Sequence, residues 1–141
     1  MKRILVVSER NACRSLMAQG WLSYYGDSLA WVQSAGLQPA RPDPMAIEVM
    51  ADAVIDISSY TSKAISAVAH IQYHYIILLS NEIRIDDLPL QGNPEIYSIH
   101  FPDVAGTQPS YKEMRIRYSS LRDAIENYCI DFTHQNIRPL L

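Results

Sequence analysis

Apolar residues fall at two different spacings along this chain, and the spacings alternate. Lys2 to Val7 carries the unbroken run Ile4-Leu5-Val6-Val7, which predicts a strand buried on both faces of a parallel sheet. Met17, Trp21 and Tyr24 then recur at helical spacing, predicting a helix over Ser15 to Tyr25 with these three on its buried face. Leu29 to Ser34 predicts a second strand. Asp43-Pro44 reads as an N-cap followed by proline at the first helical position, with Ile47, Met50, Ala51 and Val54 on one face beyond it. Thr61 to Ala69 predicts a short helix, Tyr73 to Leu79 a central strand, and Glu95 to Ile99 a fourth strand. Gln91-Gly92-Asn93-Pro94 marks a surface turn before that last strand. Ser110-Tyr111-Lys112-Glu113 fits a capping box, and Met114, Tyr118, Leu121, Ile125 and Tyr128 form the apolar stripe of a long final helix. Strands alternating with helices predict an α/β fold: a three-layer sandwich with a four-stranded parallel sheet flanked by helices. No repeat, low-complexity stretch or domain boundary interrupts residues 1–141, so a single domain is expected.

Composition narrows the function classes. The 141 residues are 48% hydrophobic and 19% charged, which suits one packed core rather than a disordered chain. No apolar run is long enough for a spanning helix and the N-terminus lacks a signal-peptide pattern, so a cytoplasmic protein without a membrane partner is expected. A net charge of −3 gives no electrostatic support for nucleic-acid binding. Lys2, Arg3, Arg10 and Arg14 nonetheless concentrate positive charge near the first strand and the loop after it. Cys13 and Cys129 do not make a disulfide framework, and both read as small core residues. His70 and His74 are four apart but run into a predicted strand, and His100 and His134 lack ligand-like spacing to carboxylates or cysteines. No metal and no cofactor is expected.

The most informative stretch lies between the first strand and the first helix: Ser8-Glu9-Arg10-Asn11-Ala12-Cys13-Arg14-Ser15. A strand, a tight loop and a helix start form a layout that binds tetrahedral oxyanions. Backbone N–H groups of the loop and the positive helix N-terminus converge on one point. On this reading Glu9, Arg10, Asn11, Ala12, Cys13, Arg14 and Ser15 form the oxyanion cradle, and Arg14 adds a planar, permanently charged fork matched to phosphate. Asn11 tolerates left-handed backbone and is expected to hold the loop.

Ser8 to Ser15 resembles the Cys-x5-Arg-Ser loop shared by low-molecular-weight protein tyrosine phosphatases and thioredoxin-coupled arsenate reductases, with Ser8 at the cysteine position. The resemblance continues in order along nearly the whole chain. Arg14-Ser15-Leu16-Met17-Ala18 resembles the family's helix start, and Ser34-Ala35-Gly36 its motif after the second strand. Ile55-Asp56-Ile57-Ser58 and Ser62-Lys63 resemble its third block, and Phe101-Pro102-Asp103 the loop carrying its acid–base aspartate. It implies a phosphate-binding loop after the first strand, with phosphate, sulfate or arsenate as ligand and a phosphotyrosine protein as a possible substrate.

The resemblance also assigns roles. In that family a low-pKa thiolate attacks the phosphorus or arsenic centre, so Ser8, Arg14 and Asp103 take the positions of nucleophile, transition-state clamp and general acid. Ser15 is expected to bond the group at position 8 or to cap the helix, and Ser34 to support the loop from the second strand. A serine hydroxyl is far harder to ionise than a thiol, and no base is visible in the sequence to activate it. Two origins fit Ser8: a cysteine replaced to trap an anion or prevent oxidation, or a natural relative that lost its nucleophile. Arg10 and Val54, where the family favours glycine, and Val104, where it favours proline, lean towards the second.

Asp103-Val104-Ala105-Gly106 is nearer the reductase pattern Asp-Pro-Ala than the phosphatase pattern Asp-Pro-Tyr, which leaves Tyr111 to line a cleft or to begin the last helix. The reductases pass oxidation to two further cysteines after the central strand, but residues 80–89 contain none and Ser80 takes the first of those positions. An intramolecular disulfide relay cannot run in this chain. Three functions stay open: a phosphate-monoester hydrolase silenced by Ser8, an oxyanion- or protein-binding pseudoenzyme, and an arsenate reductase relative using an external thiol.

Overall fold

A computed structural model describes residues 1–104 and 110–139. Four parallel strands form its sheet: β1 (Lys2–Ser8), β2 (Ala30–Gly36), β3 (Tyr75–Leu78) and β4 (Glu95–Ser98), in the order β2-β1-β3-β4. Three α-helices accompany them: α1 (Arg14–Gly26), α2 (Pro44–Asp52) and α3 (Tyr111–Asn136). β1 is central, with Val7 paired to Ala35 on one side and to Leu78 on the other. That explains its unbroken apolar run, since both of its faces are covered.

The alternation of side chains along β1 divides the core. Ile4 and Val6 face α1, α2 and α3, packing with Met17, Trp21, Met50, Tyr118 and Ile125. Leu5 and Val7 face the other way, onto Ile65, Val68, Tyr73 and Ile83. Short 3-10 turns and loops cover this second face, so the three α-helices all lie on the first. Asp43 caps α2 as the sequence predicts, accepting from the Met45 amide at 2.9 Å ahead of Pro44. Ser110 caps α3 through the Glu113 amide at 3.2 Å.

Four expectations need correction. The predicted helix at Thr61 to Ala69 shrinks to a 3-10 turn at Ile65–Ala67. The preceding backbone is spent on β2: the Gly36 amide donates to the Lys63 carbonyl at 2.8 Å and Gly36 bridges Ala64 in parallel. Tyr24, placed by periodicity on the buried face of α1, is 62% exposed and stacks edge-on against Trp21 and Tyr25 from outside. Leu29 belongs to a 3-10 turn, and the second strand runs instead to Gly36. Ala51 and Val54, expected on one apolar face with Met50, are both exposed; α2 ends at Asp52, and Val54 adopts φ +63°, the left-handed region where glycine fits freely and a β-branched residue costs roughly 1–2 kcal/mol.

Candidate functional site

The loop between β1 and α1 is held by its carbonyl groups. Gln38 N–H donates to the Glu9 carbonyl at 2.8 Å, Ala40 N–H to Arg10 at 3.0 Å and Asp43 N–H to Ala12 at 2.9 Å. The Ser62 hydroxyl lies 2.9 Å from the Arg10 carbonyl and 2.8 Å from that of Asn11. Four successive carbonyls are thus engaged from outside the loop. In a trans peptide the next N–H points the opposite way, so the amides of Arg10, Asn11, Ala12 and Cys13 face inward. The Asn11 amide shows that direction, donating to Ser8 Oγ at 3.2 Å. Asn11 adopts φ +50° and is fully buried. Its side chain braces the loop on both sides, accepting from the Lys63 amide at 2.9 Å and donating to Ser15 Oγ at 2.7 Å.

Ser8 lies at the base of this loop, 2% exposed, with its Oγ 2.7 Å from Ser15 Oγ. Ser15 already accepts from Asn11, so its own proton is available to Ser8. The atom at position 8 therefore accepts from the Asn11 amide and shares a hydrogen bond with the Ser15 hydroxyl in which either oxygen can donate; an anion at this position would take both as donors. Among the described residues these are the hydrogen-bond partners of Ser8 Oγ, and neither is a base.

Arg14 begins α1 and is 7% exposed. One terminal nitrogen donates to the Phe101 carbonyl at 2.9 Å, tying the Phe101-Pro102-Asp103 segment to the cradle. The other meets Glu9 Oε2 at 2.5 Å. Burial works to raise the Glu9 carboxyl, but hydrogen bonds from Ser80 and the backbone, together with the Arg14 charge, outweigh it and hold it below the ordinary glutamate value. Glu9 thus presents a carboxylate to the guanidinium that an incoming anion needs. Glu9→Gln should tighten phosphate binding about threefold to tenfold at neutral pH, since a competing charge beside Arg14 is removed. Because the carboxyl is depressed, its ion pair persists above the ordinary glutamate range and is lost as pH falls through the lower folded value. The two affinities should therefore converge in acid. Equal affinities at pH 7 would show that Glu9 does not compete.

A cavity of about 350 Å³ opens over the loop, lined by Ser8, Cys13, Arg14 and Asp103 among others. The structure thus brings together the three residues that the sequence assigns to chemistry. Asp103 is exposed at the mouth. Cys13, expected as a core residue, is only partly buried and lines the cavity. Burial first, then Asp43, push its thiol well above the ordinary range, with Arg14 opposing. It stays protonated at neutral pH and offers no substitute thiolate. Cys129 is in the core.

Ser34 does not support the loop directly. Its hydroxyl donates to Gln19 Oε1 at 2.6 Å, so its tie is to α1. Tyr111 is the first residue of α3, and its hydroxyl bonds Glu48 on α2. Ala105 and Gly106 lie outside the described residues. Ser80 is buried after β3, bonded to Glu9 and accepting from the Glu82 amide at 3.2 Å. His74 Nδ1 accepts the Arg3 amide at 2.9 Å and so serves β1. Among the described residues no group of three or more His, Cys, Asp or Glu side chains could hold a metal, and no helix is long and apolar enough to cross a membrane.

Sequence reasoning missed Arg41 and Asp43, which line the same cavity from the β2–α2 connection. Asp43 also accepts from the Tyr118 hydroxyl on α3. Only the backbone bonds from Gln38, Ala40 and Asp43 bring this connection against the loop, and no side-chain pattern announces them.

Comparison with known proteins agrees with this geometry. The sequence matches the family described as low molecular weight phosphotyrosine protein phosphatase over residues 3–138. An arsenate reductase of Staphylococcus aureus strain Newman is 32% identical over 127 residues, covering 90% of this chain and 95% of that protein. A solved arsenate reductase in the phosphate-binding state aligns with a TM-score of 0.74 at 28% identity, over 93% of this chain and 98% of that one. A low-molecular-weight protein tyrosine phosphatase from T. tengcongensis shares the fold, with a TM-score of 0.79 at 19% identity over 97% of this chain and 100% of the other. The chain belongs to the low molecular weight phosphotyrosine protein phosphatase family.

Proposed function

We propose that this family member binds a phosphate-type oxyanion (phosphate, sulfate or arsenate) in the Glu9–Ser15 loop and that, with Ser8 at the nucleophile position, it does not turn over phosphate esters. The observation that carries this reading is the environment of Ser8. The Asn11 amide donates to its Oγ, the Ser15 hydroxyl shares a hydrogen bond with it, Arg14 lines the same cavity, and no base touches it among the described residues. The anion-binding parts are backbone N–H groups, a helix N-terminus and a guanidinium, none of which depends on a thiol. Attack on phosphorus does, because a serine without a base stays protonated at neutral pH.

On this reading the protein is a binding relative of hydrolases in the cytoplasm. A phosphate ester, on a small molecule or on a phosphotyrosine protein, is its natural ligand class. With cysteine at position 8 the same site would hydrolyse phosphate monoesters. The solved relative in a phosphate-binding state supports the anion assignment. Arsenate reduction has less support: neither Ser8 nor Ser80 is a sulfur donor, and the Cys13 thiol is pushed well above its ordinary range.

Calorimetric titration with inorganic phosphate, paired with an aryl phosphate assay, tests the proposal. Phosphate should bind and no phenol should be released. Hydrolysis by the Ser8 protein, abolished by Ser8→Ala, would overturn the inactive reading.

A further inference from the structure

The cavity over the loop has two arginines besides the one at its base. Besides Arg14 it is lined by Arg10 and Arg41, both exposed. The two come from different segments that are stitched together, since the Ala40 amide, next to Arg41, donates to the Arg10 carbonyl at 3.0 Å. Among the described residues neither guanidinium forms an ion pair with a carboxylate, whereas Arg14, Arg115 and Arg122 all do. The rest of the lining includes Ala40, Pro42 and Pro44 and the acidic residues Asp43 and Asp103, the first of which accepts from the Tyr118 hydroxyl, and among the described residues no aromatic side chain. Tyr111, the aromatic that the sequence offers for this role, is turned to Glu48.

Two consequences follow from charge and shape. Glu9 offsets much of the Arg14 charge at the cradle, so a ligand gains less there than from an unpaired arginine. Additional attraction then has to come from Arg10 and Arg41. A ring, by contrast, finds no aromatic face to stack on. At about 350 Å³ the cavity is at the small end of sites for small molecules.

We infer that the site takes a small phosphate compound bearing a second anionic group, with its phosphoryl group in the Glu9–Ser15 loop and its second anion between Arg10 and Arg41 at the mouth. This rests on the oxyanion reading above and adds the ligand class to it. Arg41 is the residue that distinguishes such a ligand from a plain phosphate ester. A guanidinium can bind the second anion through paired hydrogen bonds, which a lysine at the same position would reproduce only in part.

Calorimetry with orthophosphate, phenyl phosphate and pyrophosphate provides the test. Pyrophosphate should bind the unaltered protein about tenfold or more tightly than either of the others, as expected when a charge-assisted contact is added. Arg41→Ala should weaken pyrophosphate far more than orthophosphate and bring the two to within about twofold, because the second anion is what touches it. Arg41→Lys should retain part of the advantage. The inference is overturned if pyrophosphate binds no tighter than orthophosphate, if its advantage survives Arg41→Ala, or if phenyl phosphate binds tightest. Orthophosphate binding without a pyrophosphate advantage would remove the second subsite alone. Binding of none of the three would remove the oxyanion reading with it.

Discussion

Ser8→Cys should convert the protein into a phosphatase for aryl phosphates. The acceptor that the new thiolate needs to replace is already served: the Asn11 amide is directed at position 8 and Ser15 Oγ lies 2.7 Å from it. On the proposed reading these groups, with the start of α1 and Arg14, would lower the thiol pKa, while the loop amides and Arg14 would hold a phosphoryl group for in-line attack. Asp103 lines the same cavity, and on that reading it would protonate the leaving oxygen. In the Ser8→Cys background, Arg14→Ala should abolish turnover, and Asp103→Asn should slow it about 100-fold, the scale of general-acid catalysis. Steady-state release of p-nitrophenol measures all three. A Ser8→Cys protein that folds, binds phosphate and stays inert would show that Arg10 and Val104 have altered the chemistry beyond the nucleophile.

The second large effect is expected at Gly36. A Cβ there would lie 2.8 Å from the Arg10 carbonyl carbon, 2.8 Å from the Asn11 nitrogen and 3.0 Å from Asn11 Cβ. The first two are backbone atoms of the cradle itself, so Gly36→Ala must push the loop away from β2. The bonds from Ser62 and Ala40 to the Arg10 carbonyl and from the Lys63 amide to the Asn11 side chain would be strained together with it. Phosphate affinity should fall tenfold or more as donors leave hydrogen-bond distance, and overpacking should cost about 1–3 kcal/mol of stability. Gly20→Ala separates the two effects. Its Cβ would meet Ile57 Cγ2 at 2.9 Å and Ile55 Cγ2 at 3.0 Å, side-chain atoms of the core. That variant should lose stability but keep phosphate affinity. If Gly36→Ala binds phosphate normally, the loop does not depend on this close approach.

Gly36 also shows what the sequence made legible and what it did not. Its place in Ser34-Ala35-Gly36 was recognisable as a pattern, but the reason for glycine, contact with backbone some 25 residues earlier, is visible only in the fold. The strand–loop–helix of residues 2–26 was readable because its signals are contiguous: a run of apolar residues, a polar loop and a helical stripe. Asp43-Pro44 and Ser110-Glu113 were readable for the same reason, since a cap acts within one turn.

Long-range backbone pairing was not readable. Residues 61–64 carry helix-compatible side chains, yet parallel pairing with Gly36 holds them extended. Arg41 enters the site only because residues 38–43 are clamped to the loop carbonyls, and nothing in Gln38-Pro39-Ala40-Arg41-Pro42 predicts that clamp. The Glu9–Arg14 ion pair joins positions five apart across a turn rather than along a helix face, so helical spacing rules do not reveal it. Ser34 lies on β2, but its hydroxyl is spent on Gln19 rather than on the loop.

The central claim is that an oxyanion sits in the cradle without a thiol to attack it. Titrating inorganic phosphate into the isotope-labelled protein and following backbone amides by NMR tests this most directly. Saturable shifts should be largest in Glu9 to Ser15, with the inward amides of Arg10, Asn11, Ala12 and Cys13 moving most, and Arg14→Ala should abolish them. Shifts confined to other surfaces, or none in residues 9–15 at millimolar phosphate, would contradict the account.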